Sequence, residues 1–176
     1  MNLRKFLHIS KAMDKESNKM IPALSKPQFV GKVKVPDNLN LITYGQWLEL
    51  QQIATEWDLL FLPAKILLDI DESELLKYDF REVVGFTNFV LSELIRIGDL
   101  FASCQIEPTQ EERQAGCEEL KSGIFGILDW YARRMYIQNH DDVLKIGWLR
   151  IYNAMKLDKE TTEYQRRLQK IYQNKR

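Results

Sequence analysis

Apolar residues recur along this chain with the period of a helix, most clearly at Val83, Phe86, Val90, Leu94, Ile97 and Phe101. Their steps of 3, 4, 4, 3 and 4 keep the side chains on one helical face. The pattern predicts a long helix over 80–101, widened by Val84, Leu91 and Ile95 and central to the fold. Ile124, Leu128, Tyr131 and Met135 form a second stripe, and Leu144, Trp148, Ile151 and Met155 a third. Polar punctuation supplies the expected starts. Thr43 precedes a segment with Trp47, Leu48, Gln51 and Ile53, and Asp58 precedes Leu59–Leu68, which contains Pro63. Asp71 and Glu74 have capping-box spacing ahead of Leu75 and Leu76. Glu107-Pro108-Thr109 marks a turn and a new start, Asn139-His140-Asp141 another, and Asp158 a final helix with Tyr164, Leu168 and Ile171.

The first 38 residues follow a different pattern. Pro22, Pro27 and Pro36 interrupt any helix, and Phe29, Gly31, Val33 and Val35 alternate with Lys32 and Lys34. That period of two predicts one short strand, placed at a sheet edge, added to a partner's sheet, or packed on its own domain. The expected fold is all-α: a compact multi-helix bundle with a long central helix. An extended arm over 1–38, a helical core over 39–156 and a basic C-terminal helix over 157–176 complete the division. Because the long stripes fall inside 39–156, that body is expected to fold without the arm.

Composition narrows the class. A chain of 176 residues with 45% hydrophobic content can bury a core without disulfides or metal. Two cysteines, Cys104 and Cys117, form no disulfide framework and suit a reducing compartment. The apolar stretch near Met1 is too short for a signal-peptide core, and no run reaches the length of a membrane span. A soluble protein that stays where it is made is expected, with no membrane partner.

Charge changes the picture further. The 25 basic and 25 acidic residues balance, which removes the simplest case for nucleic-acid binding. Their distribution is uneven: residues 1–38 carry eight basic against three acidic, and 156–176 seven against three. An acidic body therefore lies between basic ends. The ends either solubilise the protein or dock on an acidic neighbour, which could be another copy. Arg4, Lys5, Lys32, Lys34, Arg166, Arg167 and Lys170 are the partner-binding candidates of the second alternative. Trp148 joins them as an aromatic anchor, although each of Trp47, Trp57, Trp130 and Trp148 neighbours an apolar stripe and core packing is the default.

Tests for chemistry are negative. His8, Cys104, Cys117 and His140 lack the pairing of a zinc site. Asp69-Ile70-Asp71-Glu72-Ser73 opens like a calcium loop, but Glu74 and Phe80 stand where that loop needs glycine and glutamate. Helix capping explains those acids, and His140 with Asp141 and Asp142, more simply. Glu118 and Glu119 suit an exposed helical face. Glycines are dispersed, and Gly123 with Gly126 suit close helix packing. No enzyme, catalytic residue, metal or cofactor is expected.

Asn38-Leu39-Asn40-Leu41-Ile42-Thr43-Tyr44-Gly45-Gln46-Trp47-Leu48-Glu49-Leu50 resembles the I-T-x-G-Q-x-x-x-L opening seen in proteins of tailed-phage tail-assembly gene clusters. Asp141-Asp142-Val143-Leu144-Lys145-Ile146-Gly147-Trp148, followed by Tyr164-Gln165-Arg166-Arg167-Leu168, resembles the C-terminal part of tail assembly chaperones. The resemblance covers about a quarter of the chain. It implies a non-enzymatic helical chaperone or adaptor that binds phage tail proteins in the host cytoplasm. An integral virion component, a ring, connector or cargo protein clamped to neighbours by its arms, is the alternative. Either role implies protein partners, with self-association among them.

Overall fold

The computed structural model describes residues 1–10, 24–120 and 123–174. Lys11, Lys15, Lys19, Pro22, Lys175 and Arg176, all within the basic ends, lie outside the described residues. Nine α-helices and one hairpin occur among the described residues. Their order is α1 (Leu3–Ser10), β1 (Phe29–Val30), β2 (Val33–Lys34), α2 (Tyr44–Leu50), α3 (Glu56–Leu68) and α4 (Glu72–Leu75). Then come α5 (Phe80–Ser103), α6 (Gln110–Gln114), α7 (Gly123–Met135), α8 (His140–Leu144) and α9 (Trp148–Gln173), with a 3-10 turn at Cys117–Glu119 before α7. The mostly helical class and the long central helix agree with the apolar periodicity.

The chain forms two units: Met1–Ile42 with Gln46–Arg96, and Thr43–Gly45 with Ile97–Arg176. In unit one the expected strand is a hairpin. Val30 pairs with Val33 and Phe29 with Lys34, so the chain reverses at Gly31–Lys32. Gly31 has φ +60°, the backbone region a glycine enters most cheaply, at the first central position of a two-residue loop. Alternation of side chains cannot reveal a reversal that falls between two valines. The described residues 1–10 and 24–38 carry buried side chains in this unit: Leu3, Val30 and Val35 are 0%, 0% and 2% exposed. The Leu3 amide donates to the Tyr78 carbonyl (2.9 Å), the Phe80 amide donates to the Met1 carbonyl (3.1 Å), and the Phe6 ring stacks on Phe80 at 4.5 Å. Leu3, Val30 and Val35 thus contribute buried apolar side chains to the same unit as α3 and α4.

Helix α3 is capped by Thr55 rather than Asp58. The Asp58 amide donates to Thr55 Oγ1 (3.0 Å), while the Thr55 amide donates to Asp58 Oδ2 (3.1 Å), a complete capping box. Asp71 does precede α4, but it makes no side-chain cap, and Glu74 instead accepts the Tyr78 hydroxyl. Along α5, Val83, Phe86 and Val90 are buried, whereas Ile95, expected to widen the stripe, is exposed. Glu93 holds the loop before α2: it accepts the Leu39 amide (2.8 Å) and two Arg96 N–H groups (2.8 and 2.7 Å), and Arg96 also donates to Asn40 (2.8 Å).

Unit two is organised on aromatics. Phe101 lies 6.0 Å from both Tyr44 and Trp148 and 6.2 Å from Tyr152, centroid to centroid. The Tyr44 amide donates to the Ile146 carbonyl (2.7 Å), and Thr43 bridges Gly147. Thr109 and Glu112 form the capping box of α6, and Asn139 caps α8 through the Asp141 amide (3.0 Å). Two expectations fail. Helix α9 runs unbroken past Asp158, so no helix starts there. Of the stripe on α7, Tyr131 is buried while Ile124 and Met135 are exposed.

Candidate interaction surfaces

In unit two, apolar side chains of α7 and α9 face each other across a cleft. A groove of about 300 Å³ opens there, with Ile106, Ile127, Trp130 and Met155 supplying apolar walls beside Cys104 and the side-chain-free Gly123 and Gly126. Successive steps of 3, 1 and 3 place Gly123, Gly126, Ile127 and Trp130 along one flank of α7, offset from the face that buries Tyr131 and Ala132. Glycine at two of these four positions leaves the flank concave.

Polar groups fix the rim. The Trp130 indole N–H donates to Asp158 Oδ2 (3.2 Å), and the same carboxylate pairs with Arg134, whose guanidinium lies 5.8 Å from the Trp130 ring centroid. Asp158 is thus spent on orienting the tryptophan. Lys159 donates to the Ser103 carbonyl (2.8 Å). Burial pushes the Cys104 thiol up from its ordinary value, which keeps it protonated and poorly nucleophilic at neutral pH. The arrangement can seat apolar side chains and offer charged contacts at their edge. It supplies no activated nucleophile.

Beyond the groove, Leu120, Ile124 and Phe125 are exposed at the start of α7, with Phe125 against the His140 ring at 5.0 Å. Glu119, next to them, is exposed in the 3-10 turn rather than on a helix.

The basic candidates divide. Arg4, Lys5, Lys32 and Lys34 are exposed in unit one, Lys32 in the hairpin loop and Lys34 on β2, and Arg4 lines a shallow cleft of about 320 Å³ with Leu7, His8, Trp57 and Leu76. Arg167 and Lys170 are exposed on α9. Arg166 instead faces its own unit, donating to both Glu112 carboxylate oxygens (2.9 and 2.8 Å) and to the Glu107 carbonyl (2.8 Å). Trp148 is 0% exposed and belongs to the aromatic core. Full burial leaves it no surface for a partner. The half-buried tryptophan of the groove is Trp130, which falls outside the α7 stripe by one position; that displacement was the available signal.

Among the described residues, no group of three or more His, Cys, Asp or Glu side chains is placed to hold a metal ion, and no helix is long and apolar enough to cross a membrane. Comparison with protein-family models, curated proteins and solved structures gives no significant match.

Proposed function

We propose that this chain is a non-enzymatic phage morphogenesis protein, a helical chaperone or adaptor that binds tail proteins during assembly. The observation that carries the reading is the apolar groove between α7 and α9, with walls of Ile106, Ile127, Trp130 and Met155. Open apolar surface rimmed by polar groups is a recurrent mark of protein docking, and a helix laid into such a groove contributes apolar side chains at i, i+3 and i+4. The segments that resemble tail-cluster proteins supply the biological context.

In this mechanism an aggregation-prone client presents an amphipathic segment to the groove. Trp130, held by Asp158, forms a pre-oriented wall, so little side-chain freedom is lost on binding. Lys159 at the rim meets the polar edge of the segment. Release follows when the client's apolar face finds its place in the tail.

The integral-virion alternative uses residues 1–38 as a clamp on a neighbour. Burial of Leu3, Val30 and Val35 in their own unit favours the chaperone reading over that role. Mass spectrometry of purified particles separates them. A chaperone is absent from the finished particle, whereas stoichiometric recovery of this chain there would overturn the proposal.

A further inference from the structure

Helix α9 carries a largely apolar seam on the side away from its buried residues, with Leu157, Thr161, Tyr164 and Ile171 exposed and Ala154 and Leu168 half-buried. Ala154, Leu157, Thr161, Tyr164, Leu168 and Ile171 follow one another at steps of 3, 4, 3, 4 and 3, the a/d spacing of a coiled coil. Leu157, Tyr164 and Ile171 are 53%, 57% and 52% exposed. The opposite face is anchored: Trp148 and Ile151 are buried, and Arg166 is bonded to Glu107 and Glu112. At about 100° per residue the seam stands roughly opposite that anchored face, so helix rotation cannot hide it.

We infer that this seam pairs with the same seam of a second copy of the chain, the two helices running antiparallel. Size and charge both select this arrangement. Antiparallel pairing sets Ala154 against Ile171 and Thr161 against Tyr164, small opposite large, with Leu157 against Leu168 as an equal pair between them. Parallel pairing would stack Tyr164 on Tyr164 and leave Ala154 facing Ala154, a poorer filling of the same space. On the flank, Glu160 and Arg167 occupy equivalent g positions. Antiparallel helices bring Glu160 of one copy to Arg167 of the other, and the two-fold axis repeats the pair. In a parallel pair those residues would face Gln165 and Tyr172, which carry no charge. A second copy therefore meets the layers of the seam and pairs the charges on its flank, whatever client the groove accepts.

The seam spans 18 residues, about 27 Å of helix, which is short for a coiled coil. The dimer is accordingly weak and its population depends on concentration. Sedimentation equilibrium of the full chain, from about 10 µM to about 1 mM, reads it directly. The wild type should pass from monomer to dimer over this range, and Leu157→Glu should remain monomeric with an unchanged circular dichroism spectrum. Glu160→Arg and Arg167→Glu should each weaken association about tenfold, because each variant replaces two attractive contacts by two repulsive ones. The double variant Glu160→Arg/Arg167→Glu restores both pairs with exchanged sign and should recover to within about threefold of wild type. A wild type that is monomeric throughout, an unaffected Leu157→Glu, or a double variant no better than either single variant would overturn the inference. The charge variants lie on exposed positions, so they report on pairing even if Leu157→Glu loses structure.

Discussion

Replacing Gly31 by alanine separates the hairpin from the single strand that alternation suggests. In a strand, alanine would be tolerated or favoured over glycine. In the hairpin, Gly31 has φ +60°, a conformation that costs an L-residue about 1–2 kcal/mol. A Cβ added there would also fall 2.3, 2.5 and 2.7 Å from three atoms of the Tyr78 ring. The ring must swing aside, losing its cover of the hairpin and its hydroxyl bond to Glu74, at about 1 kcal/mol. Gly31→Ala should therefore cost about 2–3 kcal/mol in urea unfolding. Introduced into a Tyr78→Ala background, the same change should cost only the backbone share, about 1–2 kcal/mol. A cost below about 0.5 kcal/mol in the wild-type background would refute the hairpin and its contact with Tyr78.

Three further perturbations follow from the same geometry. Thr87 is buried on α5 and its hydroxyl has no hydrogen-bond partner among the described residues, so Thr87→Val should raise stability by about 1 kcal/mol in thermal or urea melts. Glu93→Ala removes the carboxylate that accepts the Leu39 amide and the Arg96 guanidinium and should cost about 2–3 kcal/mol, whereas Glu93→Asp should recover part of it. Asp79 is held down to about 2, first by the Arg81 guanidinium hydrogen bond and then by the Arg81 backbone and the Met1 amine. A depressed carboxyl contributes its stability above about pH 4 and loses it as pH falls through about 2, so the melting-temperature difference between wild type and Asp79→Asn should be full near neutrality and vanish in that acid window.

Helix α5 was legible because its periodicity extends over about five turns and burial obeys it. Ile95 shows the limit: an apolar residue one step off a stripe reads as core or as surface with equal ease. Asp158 was misread because an aspartate that caps a helix and one that binds a tryptophan and an arginine from mid-helix look alike in sequence. The stripe of Leu144, Trp148, Ile151 and Met155 has helical steps yet crosses the break between α8 and α9, since a short turn through Gly147 preserves the register. Charge counting placed Arg166 with Arg167, although one faces Glu112 and the other faces outward. The groove was hidden for a related reason. Its walls come from α7, α9 and the loop after α5, and only tertiary packing brings Ile106, Trp130 and Met155 together.

The groove is the centre of the functional account, and a holdase assay addresses it most directly. A tail protein that aggregates on dilution from denaturant is followed by light scattering, alone, with the wild-type chain, and with Ile106→Glu or Ile127→Glu variants whose cooperative melting has been verified. Each variant places a carboxylate on an apolar wall beside Trp130, where an incoming apolar side chain would have to bury it. The account predicts that wild type suppresses scattering at near-equimolar ratio and that both folded variants lose most of the effect. Suppression by the variants equal to that of wild type would contradict the assignment of the groove as the client site.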